Sequence, residues 1–356
     1  MFMPDCDARG KGVGKKALSG CGHAPILGYG ARNDAFGGQG ANMAGLGIGM
    51  ALVAVGLGCA LPLVTRSAVR RAERIAPPQG QYRDVPGGRL HYTDQGSGPA
   101  LVLIHGLGGN LRNFAPELVA RLAQRHRVIA VDRPGAGYST AAGAIPDLHG
   151  QAAMIAALVD ALDTGPVTLV GHSLGGALSL AFVQARPDLV SALALIAPLT
   201  QPITAVPAQF RTLMIRSALL RRVFAWLVIG PAGLLAGRAR ALPAFAPDAV
   251  PASFEGTGGG ALLFRPDTFD AASQDAQSVP DVMPALVAGY GAIARPVHVL
   301  FGTGDQILPP DLHGRAFVDQ VAGARCTLMD GGHMLPFVHP QQTAQWIAGV
   351  IAQTAS

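Results

Sequence analysis

The pattern of apolar and polar positions changes near residue 81. Before that point, an uncharged stretch between Asp34 and Arg66 contains residues 43–64, which are almost all apolar or glycine. After it, short continuous apolar runs alternate with longer segments of mixed polarity. Continuous apolar runs are typical of strands buried on both faces, so the alternation predicts a mostly parallel sheet covered by helices.

Six apolar runs carry the strand prediction. They are residues 101–105, 127–132, 167–170, 189–197, 297–301 and 326–329. Helices are predicted over about 113–125, 146–162, 174–185 and 341–352. The chain of 356 residues is long enough for one large core with an inserted segment. We expect that α/β core over residues 81–197 and 291–356.

Residues 198–290 interrupt the alternation, and we call them the cap insertion. Within it, residues 210–230 read FRTLMIRSALLRRVFAWLVIG, an apolar run with arginines interspersed. This run predicts an amphipathic helix that packs on the core and ends at the pair Gly230-Pro231, since such pairs end helices. The alternative is a lid that touches lipid, with the arginines at headgroups.

The chain before residue 81 has three predicted parts. Residues 1–40 are glycine-rich, hold all three lysines and have no apolar periodicity, so a disordered tail is expected. Residues 41–65 are apolar over the length of a transmembrane helix, whereas a signal peptide would have a shorter apolar run followed by a cleavage site. Residues 66–80 are predicted to link that helix to the core.

Arginines flank the apolar run on one side. They stand at positions 66, 70, 71 and 74. On the other side only Arg32 lies close. The positive-inside rule then predicts a single-pass anchor in the cell membrane with the core on the cytoplasmic side. The lipid bilayer is therefore an expected partner.

Charge is spread unevenly along the chain. Residues 1–83 hold ten Lys and Arg against four Asp and Glu, and the remainder holds seventeen against eighteen. The core is near neutral, so no nucleic-acid partner is expected. The four cysteines lie far apart without metal-site spacing, so neither a disulfide framework nor a zinc site is expected. Protein partners are left open.

A serine stands between a predicted strand and a predicted helix. The stretch GHSLG places Ser173 between Gly171 and Gly175. G-x-S-x-G at a strand-to-helix turn is typical of a nucleophile elbow, in which the glycines allow the strand and helix to cross closely. The competing interpretation is a hydroxyl that caps the start of the helix.

A serine nucleophile needs a base and an acid that orients the base. Asp305 follows the strand at 297–301, and His333 follows the strand at 326–329, so both lie where parallel sheets place functional groups. Asp330 is the rival acid but stands only three residues before His333. His339 is the rival base but precedes a proline at a helix start.

Five stretches resemble the α/β-hydrolase superfamily in its capped form with a serine nucleophile. They are LHYTDQGSGPALVLIHGLGGN, VIAVDRPGAGYS, GHSLGG, FGTGDQILPP and GGHMLPFVHP, spread over about residues 80 to 353. The resemblance implies an α/β-hydrolase fold with Ser173, Asp305 and His333 as the catalytic residues. It also implies an oxyanion hole formed by the backbone amides of Leu107 and Leu174.

The resemblance also suggests roles for residues near the site. Gly106 would let the loop backbone approach the substrate, and His105 would bond within that loop. Asp132 and Arg133 would shape a turn without reacting. His172 is expected to line the entrance to the site.

The predicted function is a serine hydrolase that cleaves a small apolar carboxylic ester through an acyl-enzyme intermediate, a route that needs no metal and no organic cofactor. Relatives that open epoxides or remove halides carry aspartate at the nucleophile position, so the serine disfavours their route. Cleavage of C–C bonds, amide hydrolysis and cofactor-free perhydrolysis use the same kind of triad and stay open. A non-catalytic binding protein of this fold is the alternative from another class.

Overall fold

A computed structural model describes residues 37–203, 208–236 and 241–354. Within those residues, nine strands form one sheet. They are β1 (Gln81–Val85), β2 (Gly88–Gln95), β3 (Ala100–Ile104), β4 (Arg127–Val131), β5 (Thr140–Ala141), β6 (Val167–His172), β7 (Val190–Ile196), β8 (Val297–Gly302) and β9 (Arg325–Met329). The order is β1-β2-β4-β3-β6-β7-β8-β9, with β5 paired to β2.

The sheet is parallel from β4 to β9 and antiparallel at the end that holds β1 and β2. All six predicted apolar runs lie in parallel strands. The hairpin of β1 and β2 was not predicted, because its residues are mostly polar and β1 is exposed along most of its length. The prediction of a mostly parallel α/β sheet is confirmed.

Helices cover both faces of this sheet. The helices of the described residues are α1 (Gly37–Ile75), α2 (Pro116–Leu122), α3 (Leu148–Ala161), α4 (Leu174–Ala185), α5 (Ala218–Phe224), α6 (Gly230–Ala236), α7 (Leu242–Phe245), α8 (Pro266–Ala288), α9 (Ala316–Val318), α10 (Leu335–Val338) and α11 (Pro340–Thr354). Alternate residues of β3 join different clusters: Leu101 and Leu103 pack with α2 and α11, whereas Val102 and Ile104 pack with α3 and α4. Burial on both faces explains the continuous apolar runs.

The cap insertion lies between β7 and β8 and holds helices α5 to α8. The prediction that its first helix ends at Gly230-Pro231 is wrong, because helical structure continues to Ala236. Residues Ala225–Ile229 form a wider turn with i→i+5 hydrogen bonds. Pro231 is the second residue of α6 and lies inside this continuous helical stretch, directly after the wider turn.

Two boundaries before the core need correction. Residues 37–40 of the predicted tail are helical, and the rest of that tail lies outside the described residues. Residues 66–75, predicted as linker, continue α1 to Ile75, because the helix formers Ala, Arg and Glu fill this stretch and the first helix-ending residues are Pro77 and Pro78.

The end of α1 packs against the cap insertion. Ala72 and Ala76 are buried beside Leu262. The Tyr138 hydroxyl of the core also donates a hydrogen bond to the Ala76 carbonyl at 2.6 Å. The chain around Ala72 and Ala76 is thus packed on the folded domain and is not a free linker.

Among the residues that the structure describes, no helix combines the length and hydropathy that a membrane span requires. The predicted span over residues 41–65 includes several side chains that lie outside the described part of the structure.

Candidate active site

Ser173 occupies a strained turn between β6 and α4. Its backbone has φ 56° and ψ −121°, a region that residues other than glycine rarely adopt. Its amide donates to the Ile196 carbonyl at 3.0 Å, and its carbonyl accepts from the amides of Gly176 and Leu199. The side chain makes no capping hydrogen bond to α4. The helix-cap interpretation of this serine is therefore wrong.

Close backbone approaches explain three of the glycines. A side chain at Gly175 would overlap the carbonyl of Ile104, and one at Gly171 would overlap the carbonyl of Gly175. A Cβ at Gly106 would lie 2.9 Å from the Cβ of Ser173. The loop after β3 therefore runs directly beside the serine, as the prediction for this loop requires.

Asp305 and His333 meet although they are 28 residues apart. The His333 Nδ1–H donates to the Asp305 carboxylate at 2.7 Å, and both side chains are buried. The other Asp305 oxygen accepts from the amides of Ile307 and Leu308 at 2.8 and 3.0 Å. Burial alone would raise the pKa of Asp305, but the His333 charge and these hydrogen bonds lower it below its usual value.

The strands explain why these two loops are neighbours. β8 pairs with β9, and the pairing continues past the strand ends through hydrogen bonds from Thr303 N to Met329 O at 2.8 Å and from Gly304 N to Gly331 O at 2.9 Å. The two rival residues lie elsewhere. Asp330 is exposed, and His339 lies 3.5 Å from Asp248 of the cap insertion.

His172 does not line the entrance, so that prediction is wrong. Its ring is buried, and its Nε2–H donates to the His333 carbonyl at 3.0 Å. Burial, followed by the charge of His333, lowers the pKa of His172 to about 3. A neutral ring beneath the loop therefore supports the backbone of His333.

Asp132 shapes the turn after β4, as predicted. Its carboxylate accepts hydrogen bonds from the amides of Leu111 and Tyr138 at 2.7 and 2.9 Å and from His91 Nδ1 at 2.7 Å. All of its partners are structural groups, so this carboxylate is fully used in holding the loops.

An apolar cavity of about 90 Å³ opens beside Ser173. Its walls come from the loop after β3, α4, the loop after β8 and the cap insertion. The lining residues are Leu107, Ser173, Leu174, Leu199, Ile203, Phe210, Met214, Ala276, Val279, Pro280, Ile307 and Leu308. The contribution of α8 was not predicted, because nothing in its sequence shows which of its faces meets the serine.

The two expected oxyanion donors border the same cavity. The amide of Leu174 is the first of α4 and so has no intrahelical acceptor. Leu107 directly follows Gly106, which lies against Ser173. Within the described ranges, no group of three or more His, Cys, Asp or Glu side chains could hold a metal ion.

The family model described as alpha/beta hydrolase fold matches residues 99–340, about two thirds of the chain. The chain belongs to the α/β-hydrolase fold family. The predicted fold class is therefore confirmed, with a mostly parallel central sheet and helices around it.

Relatives of this α/β-hydrolase include hydrolases of several kinds. An uncharacterized protein of Mycobacterium tuberculosis is 31% identical over 278 residues, which cover 76% of this chain and 80% of that protein. The (E)-2-((N-methylformamido)methylene)succinate hydrolase of Acinetobacter baylyi is 37% identical over 106 residues, 30% of this chain and 40% of that enzyme.

Among solved structures, a thermophilic esterase from Thermogutta terrifontis matches with a TM-score of 0.63 and 22% identity. The match covers 78% of this chain and all of the esterase. At that identity, the likeness shows the shared fold alone.

Proposed function

We propose that this protein is a serine hydrolase that cleaves an apolar carboxylic ester through an acyl-enzyme intermediate. The observation that carries the proposal is the strained, uncapped Ser173 on the wall of an apolar cavity. The buried pair of Asp305 and His333, on the loops after β8 and β9, supplies the acid and base that such a serine needs.

The proton positions follow from the Asp305–His333 bond. Because His333 donates from Nδ1, its Nε2 is free to accept the Ser173 proton. The serine oxygen attacks the ester carbonyl, and the amides of Leu107 and Leu174 stabilise the oxyanion. His333 then protonates the leaving alcohol, and a water molecule, deprotonated by the same ring, releases the acid.

The cavity favours an apolar substrate. Among its described lining residues, none carries a charge that could pair with a carboxylate. The Acinetobacter relative is named for a succinate, and a dicarboxylate would leave its charge unpaired here, at a high desolvation cost. An uncharged ester with a short apolar chain matches the lining better.

We expect kcat/KM for p-nitrophenyl esters to rise with acyl length and then level off. Each buried methylene contributes about 0.8 kcal/mol, or roughly fourfold. A cavity of about 90 Å³ holds about three water-sized groups at roughly 30 Å³ each. The rise should therefore reach about 10² in total between C2 and C5, measured across C2 to C12 esters.

Two variants test whether the cavity sets this preference for acyl length. Ala276→Leu narrows the cavity from α8 and should shift the optimum to shorter chains. Leu219→Ala changes an exposed residue of the cap insertion and should leave the profile unchanged. A steady fall in kcat/KM from C2 onwards would contradict the apolar cavity as the acyl site.

We further propose that residues 41–65 anchor the chain in the cell membrane, with the core on the cytoplasmic side. The support is the lack of charge between Asp34 and Arg66. In addition, Leu46 and Leu52 are more than 60% exposed, and a lipid environment would cover them.

We expect the full chain to stay in the membrane pellet after a carbonate wash, because breaking charge contacts does not extract a buried apolar helix. A chain that begins at Leu61 should stay in the supernatant and keep its activity. This start retains Ala72 and Ala76, which pack beside Leu262 of the cap insertion, whereas a start at Gln81 would remove them. Recovery of the full chain in the supernatant would refute the anchor.

A further inference from the structure

A buried ion pair joins the cap insertion to the loop after β4. Arg133 follows β4, and Asp275 lies on α8. Their Nη2 and Oδ2 atoms are 2.8 Å apart, and the two side chains are 1% and 3% exposed. Desolvation of both charges offsets most of what such a pair contributes to stability. Stability alone therefore does not explain why a buried ion pair lies next to the site.

A third side chain completes the arrangement. Arg133 Nη1 donates to Gln151 Oε1 at 2.8 Å, and Gln151 Nε2 donates to the other oxygen of Asp275 at 2.7 Å. Each side chain in this ring of three bonds both others, so the guanidinium has one fixed orientation.

That orientation directs Arg133 to one carbonyl. Its Nη2 also donates to the Gly106 oxygen at 3.1 Å. The same oxygen accepts from His105 Nδ1–H at 2.9 Å and from the Gly109 amide at 3.2 Å. Burial, followed by the charge of Arg133, lowers the pKa of His105 to about 3, so its neutral ring can accept from the Arg133 amide at Nε2.

The Gly106 carbonyl and the Leu107 N–H belong to one peptide unit. A trans peptide is planar, and its C=O and N–H point in opposite directions. Holding the oxygen therefore fixes the direction of the N–H. A cationic donor on the oxygen also polarises the amide and strengthens its N–H as a donor.

We propose that Arg133 is a positioning residue that fixes the Gly106–Leu107 peptide for oxyanion binding, and that Asp275 of the cap insertion holds Arg133 in place. This inference rests on the proposed serine hydrolase function, in which the Leu107 amide binds the oxyanion.

The far end of the same loop is also held by the cap insertion. Asn113 Nδ2 donates to the Gly258 carbonyl at 2.9 Å, and Asn110 Nδ2 donates to the Gly259 carbonyl at 3.2 Å. The loop after β3, which we call the oxyanion loop, is therefore held at its far end directly by the cap insertion and at Gly106 by Arg133, which Asp275 of the cap insertion holds in turn. Its geometry depends on the cap insertion being in place.

Variants of Arg133 separate positioning from stability. Arg133→Met leaves Asp275 buried and unpaired, so it should lower both the thermal midpoint and kcat. Arg133→Met combined with Asp275→Leu removes both charges and should recover most of the midpoint. Its kcat should stay about 10- to 100-fold low, since the Gly106 carbonyl still lacks its cationic donor.

Arg133→Lys keeps the charge and the pairing with Asp275. One ammonium cannot reproduce the fork that reaches Asp275, Gln151 and Gly106 at once. We expect a near-normal thermal midpoint with a reduced kcat, so this variant tests the proposal even if Arg133→Met does not fold.

The control is a second pair between helices of the cap insertion. Arg221 of α5 bonds Asp270, five residues before Asp275 on α8. Arg221→Met combined with Asp270→Leu removes a pair of the same chemistry, in which Asp270 is more exposed, without touching the oxyanion loop. It should leave kcat within about twofold of wild type, as surface and remote changes usually do.

The decisive readout is inhibition by an alkyl trifluoromethyl ketone. The Ser173 oxygen bonds to its carbonyl carbon, the C=O π pair moves to oxygen, and the hydroxyl proton passes to His333. The inhibition constant therefore reports oxyanion binding directly. In the Arg133 variants we expect it to rise by the same factor by which kcat falls, with KM for p-nitrophenyl butyrate changed less than about threefold.

The outcomes distinguish this inference from the proposed function. If the ketone fails to inhibit the wild type, the serine mechanism itself is wrong. If the inhibition constant of the ketone is the same for the wild type, the folded Arg133→Lys variant and the double variant, Arg133 does not position the oxyanion loop. Recovery of kcat together with the thermal midpoint in the double variant would overturn the inference in the same way.

Discussion

Replacing Ser173 with alanine should lower kcat for p-nitrophenyl butyrate by about 10⁴- to 10⁶-fold. In the proposed mechanism the Ser173 hydroxyl oxygen forms the acyl bond, and no neighbouring hydroxyl can replace it at the strained turn. The variant should fold normally, because the side chain makes no capping bond to α4 and alanine meets the same backbone strain. Steady-state kinetics and a thermal melt of the purified variant check both parts.

Ser179 provides the matched control for this change. It lies on the same helix, and its buried hydroxyl donates to the Gly175 carbonyl at 2.7 Å. Ser179→Ala removes a buried hydroxyl close to the site without removing the reacting atom. It should keep kcat within about tenfold of wild type. If Ser173→Ala retained more than roughly a tenth of the wild-type kcat, the nucleophile would be assigned wrongly.

Replacing His333 with alanine should have an effect of similar size. Without this ring, no base takes the Ser173 proton and no acid protonates the leaving alcohol, so kcat should fall by about 10⁴- to 10⁶-fold. The measurement is kcat over a range of pH, because hydroxide can replace part of the missing base at high pH. A residual rate that increases with pH is therefore expected.

His339→Ala is the control for the base. His339 follows α10, which separates it from His333, and its ring lies 3.5 Å from Asp248 of the cap insertion. Its loss should reduce kcat by less than about tenfold, through small shifts of the His333 loop. Equal losses in the two variants would contradict the assignment of His333 as the catalytic base.

The sheet and the three proposed catalytic residues could be predicted because their signals are local. A strand buried on both faces needs a continuous apolar run, and a strained turn between strand and helix needs glycines around its serine. Asp305 and His333 each follow a strand of the same sheet, so the topology alone brings their loops together.

The features that could not be predicted depend on distant contacts. Arg133 and Asp275 are 142 residues apart, and neither sequence neighbourhood indicates a buried ion pair. The helix continues through Pro231 after a wider turn, and no residue pattern predicts that turn. His172 is buried because the distant His333 loop passes over its ring and accepts its hydrogen bond. The residues around His172 give no sign of that contact.

Labelling with a fluorophosphonate probe tests the central claim most directly. The probe phosphorus bonds to an activated serine oxygen with loss of fluoride, and digestion followed by mass spectrometry identifies the modified residue. The account predicts one adduct, on Ser173, that forms in the wild type and is lost in Ser173→Ala and strongly reduced in His333→Ala. An active wild-type protein that carries no adduct on Ser173 would contradict it.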